Sequence, residues 1–280
     1  MARCPITDDG LVHLSKLEKL EELDLNGCSK LSGLALSFTL EKLVCLSSLD
    51  VSYCPGILRS SFQGKISALK SLELNYSAVR DSHLSRLKHL PLLEELNLDS
   101  CLIGDWSIAH LADNNVVPNL TTLDLADTDI SDYAMQKIAQ FEHLKSLSLF
   151  YCNISNAGLR HLSSMKYLEV LNLDSREIGD EGVRYLRYLP LKSLDLFSGR
   201  VTDLGYVVSI AHLSFHSLVC YFLINLVVPL FFIQLCLPIQ NQDSHLSRAM
   251  WWWSRGLGLC SFGDHLQSNE SQSLSERTYY

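Results

Sequence analysis

The spacing LxxLxL returns eight times in this chain and constrains its fold more than any other feature. It falls at Leu20-Leu23-Leu25, Leu46-Leu49-Val51, Leu69-Leu72-Leu74 and Leu93-Leu96-Leu98. It returns at Leu120-Leu123-Leu125, Leu144-Leu147-Leu149, Leu168-Leu171-Leu173 and Leu191-Leu194-Leu196. The first leucines are 26, 23, 24, 27, 24, 24 and 23 residues apart. A period of that length marks a repeat architecture, in which each unit packs on its neighbours rather than around one centre. The LxL core alternates with period two, so it reads as a short strand with its leucines on one side.

The second half of each unit has a different period. Examples are Ile103-Asp105-Ile108-Leu111, Ile130-Asp132-Met135-Ile138-Phe141, Ile154-Asn156-Leu159-Leu162-Met165 and Ile178-Asp180-Val183-Leu186-Leu189. Apolar residues three apart draw one stripe along a helix. The Asp or Asn stands at the helix start, where an N-cap side chain is expected to accept an N–H of the first turn. Each unit therefore reads strand, loop, helix. One unit alone exposes its leucines. Stacked units bury them, each contributing about five or six apolar side chains at roughly 1.5–3 kcal/mol apiece before entropy is subtracted. The expected fold class is α/β: a right-handed solenoid with a parallel sheet on its concave face and helices on its convex face.

Position nine of the unit is Cys28, Cys54, Cys101 and Cys152 in four copies, and Cys4 in a leading half-copy. With those cysteines the unit reads LxxLxLxxCxxI. It resembles the cysteine-containing class of leucine-rich repeats found in the repeat region of F-box proteins. The resemblance covers residues 1–205 and implies a non-catalytic protein-interaction module. Its F-box form implies substrate recognition for a ubiquitin ligase. That form needs an adaptor-binding F-box, and the sequence opens inside a repeat without one, so a piece of a longer array is expected. Ser77, Thr128, Arg176 and Gly199 replace the cysteine in the other copies, and CPGILRSSFQGKISAL has a weakened helical half. The thiols read as small core groups that donate weakly to a neighbouring carbonyl, since no His or carboxylate recurs beside them at metal-ligand spacing.

In such a solenoid, unit positions two, three, five, seven and eight look outward from the sheet. They hold thirteen acids, among them Glu22, Asp24, Asp50, Glu73, Glu95, Asp99, Asp124, Asp127, Asp174 and Asp195, against three lysines, Lys70, Lys145 and Lys192. That face carries −10 within a region, residues 1–203, that carries −7, so the remainder carries +3. Tyr53, Tyr76, Phe150, Tyr151 and Phe197 lie on the same face. Exposed rings amid charge are typical of interface anchors. These fifteen residues are the candidate partner-binding site. The expected partner is a protein with a basic segment, the acids setting encounter and the rings affinity. The alternative reading of the acids is that they keep a large sheet soluble.

Catalytic patterns are missing: GxxxxGK[ST], GxGxxG, GxSxG and HExxH do not occur. His13, His83, His110 and His161 fall in helical halves and converge on no acid and nucleophile. Paired carboxylates such as Glu94 and Glu95 lie on a solvated face, where no raised pKa is expected. Catalysis, metal binding, a cofactor and a small-molecule substrate are therefore not expected. Nucleic acid is disfavoured as well, since the chain carries 31 acids against 23 Lys and Arg, a net −8.

The amino terminus shows no apolar run of signal-peptide type, so a cytoplasmic, reducing setting is expected, with nine cysteines unpaired. The repeat fades just after Gly205, where the stripe expected after Asp203 meets Tyr206, Ser209 and His212. Residues 206–242 then form an apolar segment with no charged residue before Asp243, and 243–280 a polar, Ser-rich tail expected to be disordered. Three readings of the apolar segment are open. It is a membrane span at 217–237, which would tether the repeats to a bilayer. It is a cap over the last strand. Or 206–280 is read-through of non-coding sequence.

Overall fold

The computed structural model describes residues 1–56, 66–87, 90–174, 176–197 and 199–202. The tail segments 206–242 and 243–280, with the 217–237 run, lie outside these, as does most of the helical half of CPGILRSSFQGKISAL. The described residues all fall within one compact unit, Met1–Ile224.

Eight strands form one open parallel sheet in sequence order: β1 (Glu22–Asp24), β2 (Ser48–Asp50), β3 (Ser71–Glu73), β4 (Glu95–Asn97), β5 (Thr122–Asp124), β6 (Ser146–Leu149), β7 (Val170–Asp174) and β8 (Ser193–Phe197). The register pairs like with like. Leu23, Leu49, Leu72, Leu96, Leu123, Leu147, Leu171 and Leu194 are successive partners. Identical registry follows from the near-constant period, because a slip of one residue would turn every leucine out of the core.

Seven α-helices are seen among the described residues, the first ahead of β1 and the other six between strands: α1 (Asp8–Leu14), α2 (Gly33–Leu40), α3 (Asp81–Leu84), α4 (Asp105–Asp113), α5 (Asp132–Ile138), α6 (Asn156–Leu159), continued by a 3₁₀ turn (Arg160–Ser164), and α7 (Asp180–Leu186). They are short because a unit of about 24 residues leaves room for only two turns between loops. Their stripes meet the strand leucines in a single core. In one unit Leu120, Leu123, Leu125, Ile130, Met135, Ile138 and Phe141 are all buried. Parallel strands sit about 4.7–4.9 Å apart and packed helices about 8–10 Å, so a stack of both curves with the sheet inside.

Position nine is a core position throughout. Cys28, Cys54, Cys101 and Cys152 are 0–5% exposed. The Cys54, Cys101 and Cys152 thiols point at the Leu25, Leu74 and Leu125 carbonyls of the preceding unit at 3.2, 3.3 and 3.1 Å. Ser77 makes the same bond to Val51 O at 3.2 Å, which explains why serine replaces cysteine there. Burial pushes the Cys54 thiol up to about 11 and the Cys101 thiol up to about 12, so both stay protonated and unreactive near neutral pH.

The helix-start acids differ from their expected role. Asp105, Asp132, Asn156 and Asp180 are the first helical residues, and the N-caps are Gly104, Ser131, Ser155 and Gly179. Each acidic or amide side chain reaches across to the next unit instead. Asp105 accepts from Ser131 N (2.8 Å) and Ser131 Oγ (2.5 Å), and Asp132 from Ser155 N (2.8 Å) and Ser155 Oγ (2.5 Å). Asn156 accepts from Gly179 N and Gly182 N, and Asp180 from Thr202 N and Thr202 Oγ1. Asp81 accepts from Gly104 N at 3.0 Å, and Asp8 from Ser32 N at 2.7 Å. A carboxylate at the first helical position projects along the stack, so the nearest unmet donors belong to the neighbour's cap rather than its own turn. The staple explains two glycines: a Cβ on Gly158 would overlap Asp132 Oδ1, and one on Gly182 would lie 2.5 Å from Asn156 Oδ1.

Candidate functional site

The candidate residues lie along the sheet and its carboxyl-terminal edge. Position five runs in register across the whole sheet as Asp24, Asp50, Glu73, Asn97, Asp124, Ser148, Asn172 and Asp195. Asp24, Asp50, Glu73 and Asp124 thus share one column with a single amide among them, and Glu22 and Glu95 flank it at position three. Asp195 is set apart by Ser148 and Asn172. Asp174 and Phe197 end β7 and β8, and their side chains lie outside the described set.

Part of this column has a structural duty. Asp24, Asp50 and Asp124 each accept the backbone N–H two residues on, from Asn26 (2.9 Å), Ser52 (2.8 Å) and Ala126 (3.0 Å). Asn97 does the same for Asp99 N at 3.0 Å. Such Asx turns follow β1, β2, β4 and β5. Ser148 makes no such turn and β6 runs to Leu149, and β7 and β8 extend to five residues. The Oδ1 atoms of Asn172 and Asp195 are buried without a hydrogen-bond partner.

Three acids have raised pKa values, contrary to the expectation that this face is too wet for any shift. Burial is the largest cause for Glu73, followed by an opposing hydrogen bond from Asn97 and by repulsion from Asp50, Glu95 and Asp124. Burial also raises Asp99, where the Ser100 bond opposes it and Asp124 and Asp127 add to it. Burial alone raises Asp195. The sequence reading counted these charges without the neighbours that crowd them. Among the described residues, the ion pairs are Lys137–Asp113 and Lys192–Glu169, neither of which reaches this column.

The rings stand one step further on. Position eight is held in the left-handed backbone region in successive units: Gly27 (φ 70°), Tyr53 (57°), Tyr76 (53°), Ser100 (55°), Asp127 (50°) and Tyr151 (58°). From Gly27 to Asp127 the N–H there meets the position-seven carbonyl of the next unit, as in Tyr53 N to Asn75 O and Tyr76 N to Asp99 O. Glycine fits that geometry without strain, whereas a bulky aromatic is an outlier at a cost of about 1–2 kcal/mol. Tyr53, Tyr76 and Tyr151 nevertheless occupy it and are 47%, 50% and 62% exposed. Tyr53 and Tyr76 stack with centroids 4.7 Å apart and planes 5° apart. Phe150 and Tyr151 meet edge to face at 4.4 Å. The polar residues Ser52, Asn75, Asn97 and Ser100, which tie this edge together, were not singled out in the sequence. Their recurrence beside the acids at positions five, seven and eight was the available signal.

Residues 118–139, 142–163 and 164–186 match the family model for the leucine-rich repeat. Those three segments are leucine-rich repeats, and the stacked sheet has the leucine-rich-repeat fold. The repeats resemble solved structures at low identity. One is a chain of the mouse RP105/MD-1 complex, with a TM-score of 0.55 and 23% identity over 71% of this chain and 34% of that one. Another is the internalin InlF of Listeria monocytogenes, with a TM-score of 0.52 and 21% identity over 76% of this chain and 64% of that one. The leucine-rich-repeat chain thus spans about a third of the first and under two thirds of the second. A sequence search of curated proteins returns no match. Among the described residues no three His, Cys, Asp or Glu side chains are grouped to hold a metal, and no helix is long and apolar enough to cross a membrane.

Proposed function

We propose that this leucine-rich-repeat chain is a non-catalytic recognition module that binds a protein through the acidic, ring-bearing face of its sheet. One observation carries the reading: a column of carboxylates, with Asp99 beside it, where burial and then mutual repulsion raise the proton affinity of Glu73 and Asp99, has exposed tyrosines along its edge and no cation paired to it among the described residues. Crowded, uncompensated carboxylates favour a partner that supplies positive charge, and exposed rings supply contact area at little entropic cost. The test is to replace Asp99, Asp124 and Asp127 by Lys in the full chain and recover partners at low and high salt. Partner recovery that is lost or reversed in sign supports the proposal. Unchanged recovery with unchanged salt dependence sinks it.

A narrower reading makes the module the substrate-recognition part of an F-box ubiquitin ligase. It is favoured by the buried position-nine thiols, each bonded to a carbonyl of the preceding segment. Co-purification with a ligase adaptor of a longer product containing these repeats tests it. The free, buried cysteines suit a cytoplasmic setting. Tethering through 217–237 is tested by membrane fractionation.

A further inference from the structure

The edge that carries the rings has an internal order that names the partner more closely. Successive position-eight residues run Tyr53, Tyr76, Ser100, Asp127, Tyr151, all on left-handed backbone, and the first four are tied by their N–H groups to the next unit. The stacked pair Tyr53 and Tyr76 stands on one side, and Tyr151 with Phe150 on the other. Between them Ser100 Oγ lies 2.8 Å from Asp99 Oδ1 and 3.2 Å from Asp127 Oδ2, so one hydroxyl holds two carboxylates in one place. Tyr76 and Tyr151 are three units apart, about 14–15 Å at the spacing of parallel strands. An extended peptide advances about 3.3 Å per residue, so side chains at i and i+4 stand about 13 Å apart, with i+2 midway on the same side.

Resting on the proposed reading of this face, we infer that the edge binds an extended segment of a partner protein with the pattern apolar-x-basic-x-apolar. The basic side chain lies over Asp99 and Asp127, and the apolar side chains lie on Tyr76 and Tyr151. The cation supplies the charge that the two acids lack. Neither carboxylate has an ion-pair partner among the described residues, and repulsion from Asp127 adds to the burial that raises Asp99. Arginine suits the place better than lysine, because its planar guanidinium also stacks on a tyrosine face. The left-handed backbone at Tyr76 and Tyr151 turns the rings into a separable feature: glycine at those positions keeps the fold and removes the contact.

The experiment uses the full chain and two dye-labelled peptides of equal composition, Gly-Ser-Leu-Ser-Arg-Ser-Leu-Ser-Gly and the isomer with Arg moved one position along. Fluorescence anisotropy is read at low salt. The expected result is that the first peptide binds at least about tenfold tighter than the isomer. Asp99→Asn and Asp127→Asn each remove most of that preference, and so do Tyr76→Gly and Tyr151→Gly with the melting temperature held or raised. Equal binding of the two peptides, or a preference that survives Asp127→Asn, overturns the inference. If partners are still recovered in a salt-dependent, Asp99- and Asp124-dependent manner, the broader proposal stands without it. If the Lys-for-Asp chain also recovers partners unchanged, both fall.

Discussion

Two rows of acids run along this solenoid, and the same residue type does different work in each. At the helix starts, Asp8, Asp81, Asp105, Asp132 and Asp180 each accept donors from the following unit. On the sheet, Asp24, Asp50, Glu73, Asp99, Asp124 and Asp127 crowd one another, and what bonds they make are mostly local. The difference is what faces each row. A helix start meets the unmet N–H groups of its neighbour's cap, which a carboxylate satisfies at once. A sheet face meets solvent, because its own N–H groups are consumed by the ladder. Charge on the first row holds units together; charge on the second is, under the proposed function, what a partner would meet.

That contrast can be broken at its strongest point first. Asp132→Ala removes both acceptors of Ser155 and is expected to cost about 2–4 kcal/mol, since hydrogen bonds to charged groups contribute roughly 1.5–3 kcal/mol. Denaturant unfolding measures it, and a loss under about 1 kcal/mol would make the two rows alike. Gly158→Ala forces a methyl onto the Asp132 carboxylate and is expected to cost about 1–3 kcal/mol, while the same change at Gly104, whose added Cβ would lie 3.5 Å from Asp129 O, costs far less.

The sheet row should show itself through pH. Glu73, Asp99 and Asp195 bind protons more readily folded than unfolded, because burial raises all three. Just above the ordinary carboxylate range the folded state therefore holds more protons than the unfolded one. This contribution to stability grows as pH falls through that window and is lost as pH rises above it. Glu73→Gln is expected to flatten the dependence of Tm on pH, and an unchanged slope would deny that burial raises Glu73. Cys101→Ser should change stability by under about 1 kcal/mol, because Ser77 already makes the same bond to the preceding unit. Smallest of all, Asp127→Asn should leave stability within about 0.5 kcal/mol, since asparagine also tolerates the left-handed backbone. Its effect is expected in binding at low salt.

Much of the fold was written in periodicity. The leucines at positions one, four and six named the strands and their register, and the three-residue stripe named the helices, because burial alone decides both. The acids at helix starts were visible, but their partners were not. Whether Asp132 caps its own turn or reaches Ser155 depends on how far apart adjacent units sit, and no local pattern contains that distance. The spacings Asn156-x-Gly158 and Asp180-x-Gly182 carried the hint, since only a crowded approach demands a missing Cβ there.

The candidate site divides the same way. Sequence alone determined that the acids of position five share one face of the sheet, because alternation along a strand fixes which side each residue takes. Only the stacked structure decided that Asp24, Asp50 and Asp124 close Asx turns, that burial raises the proton affinity of Glu73 and Asp99, and that Tyr53, Tyr76 and Tyr151 stand on a left-handed backbone. Those properties arise between units, from ladder bonds that force one conformation on whatever residue arrives at position eight. A chain read in one dimension specifies what each unit presents; what the neighbours do to it is settled when the units meet.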